Sequence, residues 1–327
     1  MMFRKLVCAQ LILVLPLAAA GQPPPQKTPG FMRPMVWVDP DRSEPEGMKY
    51  QTFHSKTIDG EVSYLIYLPP DYEQQTTTRY PVVYQLHGSG GMPSGGADIV
   101  SRLDKAIRAG RAAPMIAVFP NGLRGESMYC DSKDGKYPVE TVIIKELLPH
   151  VDATYRTVAS RESRAIEGFS MGGFGAAHYG FKYPELFGVV SIQAPALLGP
   201  EAQQPTPSRA WSRLFPAAMG SDLEYFRAND PFTLAEKNAD ALRDRTLIRI
   251  ICHVEDDNWL APRCEQLHQV LMKHTIPHEF FFLSNVKSHN RAQVLDTMGD
   301  CAFDLFSSAL PGWGSRSTAG PRAGKER

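Results

Sequence analysis

Short runs of β-branched and aromatic residues alternate along this chain with stretches whose apolar positions recur every three to four residues. The runs at 81–86, 115–119, 165–169, 188–193, 246–252 and 279–283 are apolar almost throughout, the pattern of strands buried on both faces. Between them, Val139, Val142, Ile143, Leu147 and Val151 share one helical stripe, as do Leu267, Val270 and Leu271. A closing helix is predicted over about 291–310, carrying Val294, Leu295, Met298, Phe303 and Phe306. Strand followed by helix, repeated, predicts an α/β fold built on a mainly parallel sheet with helices on both faces. Two earlier runs, 51–56 and 61–68, flank an Asp59-Gly60 hairpin signal, so the domain is expected to open on an antiparallel edge. Segment 194–244 breaks the rhythm. It is too long for a simple crossover and is expected either to cap a site or to pack as surface helices.

The two ends lack this pattern. Arg4 and Lys5 precede an apolar run from Leu6 to Ala20 that closes on small residues, the form of a secretory signal peptide over 1–20. About 15 apolar residues fall short of the roughly 20 that span a bilayer, so no stable membrane insertion is expected after cleavage. A Pro-rich segment at 21–49 and a tail at 312–327 flank the predicted domain at 50–311 and bury too little apolar surface to fold alone. With 35 basic and 35 acidic residues, the 327-residue chain has no net field to gather nucleic acid or an anionic surface. Beyond the leader, Cys130, Cys252, Cys264 and Cys301 form an even set that permits two disulfides in an oxidising compartment; Cys252 reads equally well as a buried thiol. No CxxC pair or HExxH helix appears, and His253 with Asp256 is too small a set, so no metal is expected.

The chemistry gathers around Gly168-Phe169-Ser170-Met171-Gly172, which sits between a predicted strand and a predicted helix. A serine at such a tip needs small neighbours, and the helix N-terminus behind it favours developing negative charge. Its hydroxyl requires a base. Among the histidines that follow, His178 lies two turns along the next helix and points away, whereas His289 falls in a loop just past the last strand, where such a sheet presents its catalytic groups. Glu255, Asp256 and Asp257 crowd the end of the preceding strand; one is expected to orient the histidine, with Asp256 preferred and Asp257 its rival. An oxyanion requires two fixed donors, expected from the backbone N–H groups of Met171 and of Ser89 (or Gly88) in His87-Gly88-Ser89-Gly90-Gly91. That glycine-rich stretch lacks the lysine of a phosphate cradle, and His87 is expected to shape the loop rather than act as a base. Tyr129, Asp131, Asn258 and Trp259 are candidates for the pocket wall or for ordinary loop packing.

Together with Tyr67-Leu68-Pro69-Pro70-Asp71-Tyr72, Tyr80-Pro81-Val82-Val83-Tyr84-Gln85-Leu86-His87-Gly88, Phe119-Pro120-Asn121-Gly122 and Glu146-Leu147-Leu148-Pro149-His150-Val151-Asp152, these residues resemble the esterase D-like group of α/β-hydrolases. That group includes feruloyl and acetylxylan esterases, S-formylglutathione hydrolases and the antigen 85 mycolyltransferases. The resemblance implies the α/β-hydrolase fold and a Ser170, Asp256, His289 triad with oxyanion donors at Ser89 and Met171. It implies no cofactor, and an exported serine carboxylic ester hydrolase, secreted or periplasmic, acting on a small or carbohydrate-linked ester such as a feruloyl or acetyl sugar. The chain departs from the group's pattern in Cys252-His253 at the strand end and in Lys287-Ser288-His289-Asn290 around the histidine. Two other readings stand beside it: an acyltransferase of the antigen 85 type, and a non-catalytic exported binding protein that keeps the fold.

Overall fold

A computed structural model describes residues 36–123, 127–197, 218–220, 222–253 and 260–308. Eight strands among them form one sheet: β1 (Met48–Ser55), β2 (Gly60–Tyr67), β3 (Val82–Leu86), β4 (Ile116–Pro120), β5 (Arg164–Phe169), β6 (Val189–Gln193), β7 (Leu247–His253) and β8 (His278–Leu283). Their spatial order is β1-β2-β4-β3-β5-β6-β7-β8. The β1–β2 hairpin and the β2–β4 pairing are antiparallel, and the remaining pairings are parallel. The antiparallel edge and all six later strands therefore stand where the apolar runs predict them, to within a residue at each end except that β1 begins three residues earlier, at Met48.

Helices cover both faces because each inner strand is apolar on both sides. Tyr64 and Ile66 of β2, Tyr84 of β3 and Val118 of β4 join one core, while Leu65, Tyr67, Val83 and Ala117 join the other. The larger core receives a helical stretch at 139–154 (α2), whose middle turn at Val142–Leu147 is a π-helix, together with α3 (Met171–Lys182). It also receives α4 (Leu223–Asn229), α5 (Pro231–Lys237), α6 (Ala239–Arg243) and α7 (Leu260–Lys273). The smaller core receives α1 (Ala97–Arg108), α8 (Arg291–Met298) and α9 (Cys301–Ser308). The single closing helix predicted over about 291–310 is thus two. Gly299, at φ 54°, takes a left-handed conformation that ends α8.

The half of segment 194–244 that is described does not cap anything. Asn229 at the end of α4 and Asn238 after α5 bind the far end of α3: Asn238 Nδ2 donates to the Phe181 carbonyl (2.7 Å) and His178 Nδ1 to the Asn229 carbonyl (2.8 Å). These are surface helices packed on α3, as the second expectation had it; 198–217 lies outside the described residues. Cys130, Cys252, Cys264 and Cys301 form no disulfide with one another; the first three are buried and Cys301 is exposed.

The buried end of α3 is anchored by charge. His178 Nε2 (2.9 Å), Lys182 Nζ (2.7 Å) and the Tyr183 hydroxyl all donate to the Glu140 carboxylate of α2. Burial opposes ionisation of Glu140, but the His178 and Lys182 contacts overcome it and hold its pKa down at about 2. A carboxylate depressed from an unfolded value of about 4.3 contributes stability that is complete above that value and lost as pH falls toward 2. Urea melts of wild type and Glu140→Gln should therefore lie furthest apart at neutral pH and converge between about pH 5 and pH 2. Parallel curves across that range would refute the ion-pair account.

The sheet also fixes where a ligand can bind. After β3 the chain crosses to β4 on one side and then returns to β5 on the other, so the connections leaving β3 and β5 depart to opposite faces. The crevice at their C-terminal ends is the topological switch point of the sheet.

Candidate active site

Ser170 sits at that crevice, between the last residue of β5 and the first of α3. Its backbone is at φ 60°, ψ −118°, a sparsely populated conformation for a residue with a side chain. Three main-chain hydrogen bonds hold it there: Ser170 N–H donates to the Gln193 carbonyl (3.0 Å), while its own carbonyl accepts from Ala196 (2.9 Å) and Phe174 (3.0 Å). The turn is possible because α3 lies directly on the sheet backbone. A methyl group placed on Gly168 would stand 2.0 Å from the Gly172 carbonyl oxygen, and one on Gly172 would stand 2.1 Å from that of Leu86. The small residues expected around Ser170 are thus demanded by backbone contact on both sides.

Behind the serine, Met171 is the first residue of α3, and amides of a first helical turn have no acceptor within the helix. Facing it, Gly88-Ser89-Gly90-Gly91 is a β-turn closed by Gly91 N–H donating to the Gly88 carbonyl (2.9 Å), with Gly90 at φ 69°. Ser89 occupies the second position of this turn, where the amide is not used by the turn's own bond, and it lines the cleft with Ser170. Of the two expected oxyanion donors, Ser89 lines the cleft and Met171 directly follows the cleft-lining Ser170.

His87 anchors the turn. Gly122 N–H donates to its Nε2 (3.3 Å), which leaves Nδ1 as the protonated nitrogen, donating to the Gly88 carbonyl (3.0 Å). Both nitrogens are engaged, in accord with a shaping role. Tyr129 packs beneath: its hydroxyl donates to the His87 carbonyl (3.0 Å) and its ring fills the space left by Gly122 and Gly175. Tyr129 is fully buried, and the Asp131 carboxylate accepts from the Thr141 N–H (2.9 Å) and hydroxyl (2.7 Å). Neither lines the cleft, so of the four wall candidates these two are loop packing. Asn258 and Trp259 lie outside the described residues.

His289 stands across the cleft, in the loop between β8 and α8, with its ring 4.5 Å from that of Phe169 and inclined at 32°. The cleft, about 670 Å³, is lined by Ser89, Ser170 and His289 together, joined by Met92, Asp98 and Arg291. His253 ends β7 fully buried, its ring centroid 6.0 Å from that of His289. One layer below Phe169, the buried carboxyl of Glu167 accepts from Gln85 Nε2 (3.0 Å), and burial pushes its pKa above the usual carboxylate range. The acidic candidates Glu255, Asp256 and Asp257 lie outside the described residues. Among the described residues no three potential ligands cluster to hold a metal, and no helix is long and apolar enough to cross a membrane.

Sequence reasoning did not single out Phe169, Asp98 or Arg291. Phe169 is the variable position of the pentapeptide, and a strand end necessarily turns that side chain to one face of the sheet. Asp98 and Arg291 belong to segments almost 200 positions apart and carry no local signal.

With 36% identity over 153 residues, Esterase Rv1288 of Mycobacterium tuberculosis matches 45% of this chain, and the chain spans about a third (31%) of that protein. An endo-1,4-beta-xylanase/feruloyl esterase of Xylanibacter ruminicola is 30% identical over 161 residues, 46% of this chain and 22% of the relative. Among solved structures, a ferulic acid esterase superposes with a TM-score of 0.65 at 24% identity, covering 80% of this chain and 98% of its own. An S-formylglutathione hydrolase from Agrobacterium tumefaciens gives 0.65 at 20% identity, covering 81% and 95%. These likenesses establish the α/β-hydrolase fold. The family model described as "Putative esterase" matches residues 55–275, from the end of β1 through the serine turn to the end of α7. The chain belongs to that esterase family.

Proposed function

We propose that this chain is an exported serine carboxylic ester hydrolase that works through an acyl-enzyme. The observation that carries the reading is Ser170 at φ 60° on the switch-point turn, with His289 lining the same cleft. In this reading Ser170 Oγ attacks the ester carbonyl carbon as His289 accepts the hydroxyl proton. The tetrahedral oxyanion is stabilised by the N–H groups of Ser89 and Met171. When the intermediate collapses, the ester C–O bond breaks and His289 returns the proton to the departing alcohol. Water then repeats the sequence, freeing the carboxylic acid and Ser170. Asp256 is assigned to orient the imidazole, with Asp257 as the alternative.

For the substrate, we take an acyl sugar carrying a feruloyl or acetyl ester. The feruloyl esterase names borne by a curated relative and by similar solved structures support this choice, and the apolar run at 6–20 supports export. A fluorophosphonate probe should label the mature protein once, with the mass added on the peptide containing Ser170. A panel of feruloyl, acetyl and longer aliphatic esters should then give turnover, fastest on the feruloyl or acetyl members. Folded protein that takes no label would overturn the hydrolase reading in favour of a binding protein. New ester formed in preference to free acid, in the presence of an alcohol acceptor, would convert it to an acyltransferase.

A further inference from the structure

His289 lies six residues past β8, in a loop that buries Val286 in the smaller core and lays the His289 ring against Phe169. Asn290 N–H donates to the Ser288 carbonyl (2.7 Å), Lys287 N–H to Gln293 Oε1 (3.3 Å), and Asn290 caps α8 through Ala292 N–H (2.9 Å). None of these bonds fixes the distance from the histidine to the opposite wall of the cleft. Arg291, two residues on, does reach that wall. Its Nη2 donates both to the Gly95 carbonyl and to Asp98 Oδ1 (2.9 Å), and Asp98 sits in the first turn of α1 just after the Ser89 turn. The Arg291 side chain is 19% exposed and that of Asp98 34%, so the guanidinium is the shielded partner of the pair. A second bridge joins the same two helices farther out, from Arg102 Nη2 to Asp296 Oδ1 (2.7 Å), but its members are 35% and 65% exposed. The outer pair is the more exposed on both sides, and exposed pairs contribute little, whereas Arg291 holds two acceptors of the opposite wall with one largely buried guanidinium.

We propose that Arg291 is a positioning residue that sets the span of the cleft. It ties the His289 loop to the oxyanion wall through Gly95 and Asp98 and so holds the imidazole at working distance from Ser170. The inference rests on the catalytic reading of Ser170 and His289 given above. A displacement of about 1 Å at a reacting group costs on the order of 100-fold in rate, so a tie of this kind acts on kcat. Both acceptors are reached from the one Nη2 nitrogen, so a lysine, which keeps the charge and several N–H donors on one nitrogen, retains the contact as far as its shorter head reaches.

The test uses the full-length mature protein and p-nitrophenyl acetate, a substrate too small to contact Arg291's neighbours broadly. Arg291→Gln should lower kcat by roughly 10- to 100-fold, with KM changed less than about threefold, and should slow fluorophosphonate labelling of Ser170 by a similar factor. Arg291→Lys should recover part of the loss. Asp98→Asn should lower kcat less, and the double variant Asp98→Asn with Arg291→Gln should be no worse than Arg291→Gln alone. Arg102→Gln, on the outer bridge, should match wild type. Wild-type kcat and labelling rate in Arg291→Gln would overturn the proposal, as would an equal loss in Arg102→Gln, which would indicate general loosening of the two helices. Loss of turnover in His289→Ala separates this outcome from failure of the catalytic reading: if that variant stays active, the triad assignment fails first.

Discussion

Ser170→Ala should lower kcat/KM toward p-nitrophenyl acetate by roughly 10⁵-fold or more, with the melting temperature and far-UV dichroism of wild type retained. Removing Oγ removes the attacking atom and nothing that the fold uses, because the main-chain bonds of the turn to Gln193, Ala196 and Phe174 do not involve the side chain. Alanine still bears a Cβ at φ 60°, so the conformational cost of the turn is unchanged. His289→Ala should fall to a similar floor, and the double variant should be no slower than either single one, since nucleophile and base act as one unit. The residual rate, on the order of 10³-fold above water, belongs to the oxyanion donors and binding. Additive losses in the double variant would show that His289 does not serve Ser170. Asp256→Asn should cost less than either, and if Asp257→Asn were instead the damaging change, the orienting acid would be reassigned.

Much of the architecture was legible in the chain because parallel strands buried on both faces read as unbroken apolar runs. Where the reading slipped, the cause was local backbone geometry. Nothing in the periodicity of Val294, Leu295, Met298, Phe303 and Phe306 reveals that Gly299 turns left-handed and splits the last helix, since both halves face the same core. The π turn in α2 is hidden for a similar reason: one extra residue per turn still presents Val142, Ile143 and Leu147 inward. The serine turn was readable because its demands on small neighbours are imposed within five residues. Asp98 and Arg291 were not, because their pairing depends on α1 and α8 being brought to one face of the sheet from opposite ends of the domain. Tyr129 lies in between: the sequence leaves it open as pocket wall or loop packing, and the space left by Gly122 and Gly175 draws the ring under the loop.

The same economy of space makes Gly168 and Gly172 the positions at which one methyl group should do most damage to the fold. At Gly168 the added carbon would meet the Gly172 carbonyl group at 2.0 and 2.2 Å, and at Gly172 it would meet the Leu86 carbonyl at 2.1 and 2.6 Å. These neighbours are main chain of β3 and of α3's first turn, so no side-chain rotation relieves the contact; the helix must lift from the sheet. Neither glycine is at positive φ, so the cost is steric crowding, not lost conformational freedom. Overpacking of a core costs typically 1–3 kcal/mol, and rigid backbone on the far side puts both sites at or above the top of that range, about 3 kcal/mol or more. For a domain of this size that is a fall in Tm of roughly 6–12 °C. Gly60→Ala is the matched control: the nearest atoms to its new carbon are at 3.8 Å, ordinary contact, and its Tm should stay within about 2 °C of wild type. Thermal melts of the three variants decide the matter. If Gly168→Ala and Gly172→Ala melted with Gly60→Ala, helix α3 would not be seated on the sheet as closely as the serine turn requires. If they melt low but still take a fluorophosphonate label when cold, seating of the helix and reactivity of Ser170 are separable properties of the same five residues.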